Sequence, residues 1–462
     1  MAYYGQRYSA LETHSWDAKS SRSNGNDLYR YFTERLNRPL ISRDMQVLRG
    51  DLDINKLTIF DTYARRVRNC TISVIPLIES TTRVQLLRLK SGLLPMLTSL
   101  VLSGRQLLCF KNEFSAFVPL ILQSRSLSSI TYLSIACDDP DNDHPLGDFL
   151  LTLVENINVV ALRRLALLGT LQRQYVSSLS YFTHLQSVSL TWLGTSCYEV
   201  IDILSRLQLI DVRLGFAAAI PIPDKCIVSN PFPVITKLWL LGEDWPMIYI
   251  LNAITGNYLE SISIEEYDYS TTHNAPDNHS QIYQDFARFP SLRTIDYVLD
   301  GCEPGLISQP ISSISVVQPL LGLRFLESLT LHFIQPWFRV SDDDISELAF
   351  ACPSLKNLTL HPRLTPGTVG VGWPTFASLI RLATTCSHLT TLTISIDVQN
   401  LPSELPPISI SHGLQKLDLA ATHTDHPIAL ARLLHELFPL LEDVQGESDG
   451  LQEVRQFLIT GT

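Results

Sequence analysis

The chain has 462 residues, of which 45% are hydrophobic and 18% charged, with a formal net charge of −11. That length exceeds the roughly 250–300 residues that one ordinary hydrophobic core supports, so several domains or an extended repeat array is required. The acidic balance argues against a nucleic-acid surface, the apolar content excludes global disorder, and no stretch reaches the ~18 apolar residues of a membrane helix.

In chain order, residues 1–35 are polar, predict a disordered tail and lack the apolar core of a secretory signal. A cytoplasmic or nuclear protein with its eight cysteines reduced is therefore expected. No two cysteines have C-x-x-C spacing, so no zinc or redox motif is encoded. Residues 36–93 predict a helical N-terminal cap. Within it, Tyr63, Ala64 and Val67 fall on the buried side of a helix and Arg65, Arg66 and Arg68 on its solvated side.

From 94 to 448 the triplet Leu-x-x-Leu-x-Leu, with Ile or Val allowed, recurs at steps of 22 to 34 residues. It runs through Leu97-Leu100-Leu102, Ile130-Leu133-Ile135, Leu162-Leu165-Leu167, Leu185-Val188-Leu190, Leu207-Ile210-Val212 and Ile235-Leu238-Leu240. It continues as Leu259-Ile262-Ile264, Leu292-Ile295-Tyr297, Leu326-Leu329-Leu331, Leu355-Leu358-Leu360, Leu389-Leu392-Ile394 and Leu414-Leu417-Leu419, with a decayed copy at Leu441-Val444. Such triplets also arise by chance in a chain this rich in aliphatics, but two further features accompany them. A large or buried-type residue often stands three before the first Leu, followed by Pro, as in Leu94-Pro95, Phe289-Pro290, Cys352-Pro353 and Phe438-Pro439. Phe182 and Cys386 hold the same place without Pro. Proline there forces the preceding residue out of the helical region and lets a strand begin. Before this signature lie amphipathic stretches, clearest at 341–351, where Ser341 and Asp344 form a capping box and Ile345, Leu348 and Ala349 share a face.

Helix, turn, short strand and loop, repeated, define a leucine-rich repeat. The expected fold is an irregular α/β solenoid, a horseshoe of about 12 parallel strands with outer helices, because no single repeat can bury its apolar face alone. The position eight after the first Leu carries Asp138, Asp300, Asp397, Thr170 or Thr422, and elsewhere residues such as Leu193, Gly215, Tyr267 and Ile334, in place of a regular Asn, hence the irregularity. Residues 449–462 predict a C-terminal capping helix and tail.

The unit from Ser341 through Ala351-Cys352-Pro353-Ser354-Leu355-Lys356-Asn357-Leu358-Thr359-Leu360 resembles the repeat of fungal F-box proteins with leucine-rich repeats. Phe376 to Ile396 and Leu414 to Leu441 fit the same arrangement, and Leu36 to Leu40 with Phe60 to Arg68 is similar to the segment such proteins carry ahead of their repeats. The resemblance implies substrate recognition for a Skp–cullin–F-box ubiquitin ligase, with the Skp adaptor bound through an F-box. No F-box opening is recognisable before Leu36. The one Leu-Pro-x-Glu, Leu401 to Glu404, is followed at once by Pro406-Pro407, which no helix interior tolerates. A stand-alone scaffold that has lost the F-box is the alternative.

Other motifs are weaker than their ordinary explanations. Asp139 to Asp143 imitates the start of a calcium loop but has His144 and Leu150 where Gly and Glu belong. Gly367, Gly370 and Gly372 lack the Lys-Ser/Thr of a phosphate loop, and His423 with His426 has no third metal ligand nearby. No G-x-S-x-G or other nucleophile–base arrangement occurs, so no enzyme, cofactor or metal site is expected. The remaining candidate is the concave sheet face, whose strand positions include Tyr132, Arg164, Arg213, Lys237, Trp239, Glu265, Asp296 and Lys416. These predict a partner-binding surface for a protein target, with the chain a monomer within a complex and Trp239 the foremost contact, since Trp and Arg are favoured at binding hot spots.

Overall fold

The computed structural model describes residues 47–48, 62–72, 77–78, 96–102, 130–136, six positions between 146 and 154, 161–169, 171, 173–193, 197–216, 232–242, 244–267 and 275–300. It further describes 311–312, 318–334, 338–363, 373–405, 412–420, 422–446 and 448–460. The expected tail at 1–35, Leu94-Pro95, the acidic loop at 139–143 and the glycines at 367–372 lie outside these residues.

One 14-stranded sheet runs through the molecule, its strands in chain order. They are β1 Asn69–Ile72, β2 Ser99–Leu102, β3 Tyr132–Ala136, β4 Arg164–Leu168, β5 Ser187–Leu193, β6 Asp211–Phe216 and β7 Lys237–Gly242. The second half is β8 Ser261–Tyr267, β9 Thr294–Asp300, β10 Ser328–Ile334, β11 Asn357–Arg363, β12 Thr391–Ile394, β13 Lys416–Asp418 and β14 Asp443–Gln445. Every neighbouring pair is parallel. Parallel neighbours need a crossover between them, and here each crossover is the rest of a repeat.

Register turns the sequence triplets into two continuous apolar rows. Leu100, Leu133, Leu165, Val188, Val212, Leu238, Ile262, Ile295, Leu329, Leu358, Leu392, Leu417 and Val444 pair successively, and all are buried. Leu102, Ile135, Leu167, Leu190, Leu214, Leu240, Ile264, Tyr297, Leu331, Leu360 and Ile394 form the second row, two residues on. Side chains alternate across a strand, so both rows face the same side and everything between them faces the other.

One register differs from the sequence expectation. Leu207-Ile210-Val212 is out of phase: Val188 pairs with Val212 and Leu190 with Leu214, so the working triplet is Leu209-Val212-Leu214. Ile210 is accordingly 41% exposed while Leu209 is fully buried. Both triplets satisfy the pattern, and only pairing with β5 distinguishes them. The sheet also begins within the segment expected as a helical cap. A single turn at 62–64 leads directly into β1, and Val67-Cys70-Ile72 stands as a further copy with Cys in the place of Leu. Ala64 and Val67 are buried as expected, but Tyr63 is 52% exposed, because one turn is too short to bring it onto the same face.

A hydrogen-bond ladder marks every strand entry. The carbonyl after the first triplet residue accepts two N–H groups from the next repeat, from Arg68 O taking Thr98 and Ser99 to Gln415 O taking Glu442 and Asp443. Threonine strengthens it where present: the hydroxyls of Thr98, Thr131, Thr236 and Thr390 donate to the same carbonyls.

The helices α1 Cys197–Ser205, α2 Asp244–Ala253, α3 Ala275–Phe286, α4 Asp342–Ala351, α5 Phe376–Thr385, α6 Pro427–Leu437 and α7 Asp449–Thr460 bury one stripe each against the apolar rows. In α5 that stripe is Phe376, Leu379, Leu382 and Ala383, at helical spacing. Helices α4 and α5 start where the sequence places them: Ser341 and Asp344 make the capping box, and the Thr375 side chain accepts the Ala377 N–H. They stop at the signature residues. Cys352, Cys386 and Phe438 have ψ of 62°, 67° and 74°, outside the helical region. Their carbonyls then take the N–H of Leu355, Leu389 and Leu441 and launch the next strand.

Strands stack at ~4.8 Å whereas helices need 8–10 Å, so the array must curve with the sheet on its inner, concave side. At the C-terminal end α7 packs on α6 and β14 and closes the core with Leu451 and Val454. Two small parallel pairs, Val47–Leu48 with Leu77–Ile78 and Ile311–Ser312 with Phe338–Arg339, lie outside the main sheet.

The concave candidate surface

The residues between the buried rows form the concave face. Trp239 shows the rule most plainly. It stands between Leu238 and Leu240, which are 2% and 0% exposed, and is itself half-buried on the opposite side. Its register partners are Arg213 on β6 and Ser263 on β8.

Five of the expected residues converge here. Lys237 precedes Trp239 by two on β7 and is exposed, with Asp211 and Ser261 as its partners. The Arg213 guanidinium lies 3.6 Å from Asp211, whose other oxygen accepts the Ser187 hydroxyl at 3.3 Å. Glu265 lies on β8 between Leu241 and Val298, and Asp296 on β9 between Ser263 and Thr330. The Ser263 hydroxyl donates to Asp296 at 3.3 Å, and burial pushes the Asp296 carboxyl above its usual range against that hydrogen bond. Tyr132 and Arg164 are register partners on β3 and β4, and their row continues through Ser187 and Asp211 to Lys237. Lys416 on β13 is not brought in. Four strand steps separate it from β9, about 19 Å along the arc.

The patch is polarised, basic over β4 to β7 through Arg164, Arg213 and Lys237, and acidic over β8 and β9. Further along, outward positions are mostly hydroxyl and amide: Ser328, Thr330, Asn357, Thr359, Thr391 and Thr393. The Ser263–Asp296 pairing was beyond the sequence, since it depends on which strands neighbour.

Among the described residues, the buried polar groups Cys352, Cys386, His412 and Glu266 of the core bond to backbone or to another buried side chain. Burial pushes the Cys70 and Cys386 thiols up to about 11 and the Cys352 thiol up to about 12, so they stay protonated and unreactive. Cys352 and Cys386 hydrogen-bond backbone carbonyls of the preceding repeat instead. His412 extends this series: its Nδ1 accepts the Leu414 N–H at 3.1 Å, so Nε2 carries the proton given to Cys386 O at 2.9 Å. Buried Glu266 accepts the Tyr297 phenol at 2.5 Å and pins β8 to β9. Among the described residues no group of three or more His, Cys, Asp or Glu could hold a metal ion. His423 and His426 are exposed, and residues 401–405 are irregular, as Pro406-Pro407 predicted. No helix of the described residues is long and apolar enough to cross a membrane.

The stacked rows, the entry ladder and the outer helices define a leucine-rich-repeat solenoid. No protein-family model matches the chain, and no curated protein matches it. Similar solved structures include an internalin from Listeria monocytogenes, at 13% identity and TM-score 0.34 over 70% of this chain and 82% of that one. Another is a protein from Bacteroides fragilis, at 14% identity and TM-score 0.32 over 58% of this chain and 68% of that one.

Proposed function

We propose that this chain is a protein-interaction module that holds a protein target on its concave face around Trp239, Arg213 and Lys237. The observation that carries this reading is Trp239 itself: a large aromatic, half-buried on the open side of the sheet between two leucines whose side chains enter the core. Such a side chain offers apolar area and a polar N–H at low entropic cost, and it is favoured at binding hot spots. Tyr132, Arg164, Glu265 and Asp296 extend the surface, and Lys416 contributes only to a target long enough to span the arc.

The target would be presented to a Skp–cullin–F-box ubiquitin ligase, a role that rests on the resemblance to fungal F-box leucine-rich-repeat proteins. The chain acts there as recognition subunit, a monomer within the complex, with the chemistry done elsewhere. The Skp adaptor is a partner where an F-box is joined to this chain. The stand-alone scaffold is the second reading, favoured by the position of the one Leu-Pro-x-Glu in an irregular segment between β12 and β13.

Proximity labelling in cells from a fused ligase supplies the test. Proteins labelled by the wild-type chain and lost with Trp239→Ala are concave-face targets, and labelling unaffected by that substitution overturns the proposed surface. Accumulation of those targets on deletion of the gene supports the ligase role, while unchanged turnover leaves the scaffold.

A further inference from the structure

The acids of the concave face differ in how their charge is answered. Asp211 faces Arg213 at 3.6 Å, and Asp443 faces Arg455 at 3.2 Å. Asp296 is half-buried and receives the Ser263 hydroxyl, a neutral donor, at 3.3 Å. Its register neighbours are Ser263 and Thr330, and the residues two away on its own strand are Thr294 and Val298. None is a cation. A partly desolvated carboxylate in such a place is held at a cost that an incoming cation relieves.

What surrounds Asp296 narrows the kind of cation. Ser263 separates it from Trp239, two strand steps or about 9.6 Å away. Glu265, two residues beyond Ser263 on the same side of β8, adds a second carboxylate. Trp239, Ser263 and Asp296 thus form a row of aromatic, small hydroxyl and carboxylate. Repulsion from the basic side is reduced, because Arg213 is already paired with Asp211, and Lys237 stands on the side of Trp239 away from Glu265.

We propose that this row is the seat for an arginine side chain carried by an extended segment of the target protein, its guanidinium on Asp296 and its stem over Ser263 against Trp239. Arginine fits better than lysine because its planar fork donates to carboxylate and hydroxyl together, whereas an ammonium is a compact, strongly hydrated charge. The proposal rests on the concave-face reading and deepens it by assigning the chemistry of the partner.

The test uses the full chain and a displayed library of random linear peptides. Selected peptides are measured against Asp296→Asn, which keeps the shape and removes the charge, against Trp239→Ala, and against Arg381→Ala, at an exposed position of α5, as control. The expected outcome is a dominant arginine among the selected sequences, with affinity falling about tenfold or more in Asp296→Asn and Trp239→Ala and unchanged in the control. Replacing that arginine by lysine in the peptide should weaken binding without abolishing it. Peptides lost with Trp239→Ala but indifferent to Asp296→Asn would overturn the arginine seat and leave the concave face standing. Peptides indifferent to both substitutions, or an absence of binders, would overturn both readings.

Discussion

Asp342 is the clearest point at which one side chain ties two repeats together. It lies in the first turn of α4, yet its partners belong to the start of α5. One oxygen accepts the Thr375 backbone N–H at 2.8 Å and the Ser378 hydroxyl, and the other accepts the Thr375 hydroxyl at 2.8 Å. Ser378 is fully buried, so removing the carboxylate strands its hydroxyl, and the Thr375 N–H is left to find water. Hydrogen bonds to a charged group contribute about 1.5–3 kcal/mol each, but three that share one partly exposed carboxylate are not additive; a loss of about 2–4 kcal/mol is expected for Asp342→Ala. Asp343→Ala is the internal control. It sits one residue on, is exposed, and shares the favourable position at the helix N-terminus, worth ~0.3–1 kcal/mol. Urea unfolding gives the difference from the shift in midpoint, and hydrogen exchange should place the loss at α5. If the two substitutions cost the same within about 0.5 kcal/mol, the inter-repeat tether is not an energetic contact.

Leu358→Ala removes a fully buried side chain from the first apolar row and should cost about 2–5 kcal/mol, whereas Thr359→Ala on the concave side should stay within about 0.5 kcal/mol, both read by urea unfolding. Burial holds the His412 pKa below its usual 6.5, with the hydrogen bond to the Cys386 carbonyl opposing the shift. The neutral ring is therefore the folded form, the unfolded state binds more protons below pH 6.5, and stability should fall as pH drops from 6.5 through the lowered folded value. Thermal unfolding between pH 7 and pH 5 should show a smaller fall for His412→Gln than for the wild type; equal falls would remove His412 as the cause.

The solenoid was legible because its signals are redundant. Cys352-Pro353 and Phe438-Pro439 mark helix ends by backbone sterics, and the aliphatic triplets mark the strands that follow. Phase was legible only where one triplet fits. Leu207-Ile210-Val212 and Leu209-Val212-Leu214 are offset by two residues, and the choice lies in pairing with β5, a long-range fact absent from local pattern. The first copy is masked in the sequence because Cys70 occupies a Leu position, although a buried thiol packs as a small hydrophobe. On the concave face, alternation alone gave the outward direction of Arg213, Lys237 and Trp239 and survived the phase error, since a shift of two residues keeps parity. Which of the outward residues gather together was not legible. Lys416 carries the same local signature as Lys237, and only the order of strands along the arc sets it apart.

Strand β7 offers the most direct measurement of that parity. Cysteine placed singly at 237, 238, 239 and 240 in the full chain is treated with a thiol reagent, and the modified peptide is followed by mass spectrometry. The structure predicts fast modification at 237 and 239 and protection at 238 and 240, where Leu238 and Leu240 are 2% and 0% exposed. Protection at 239 equal to that at 238 would mean that the aromatic does not lie on an open face, and both the surface and its proposed partner would fall with it.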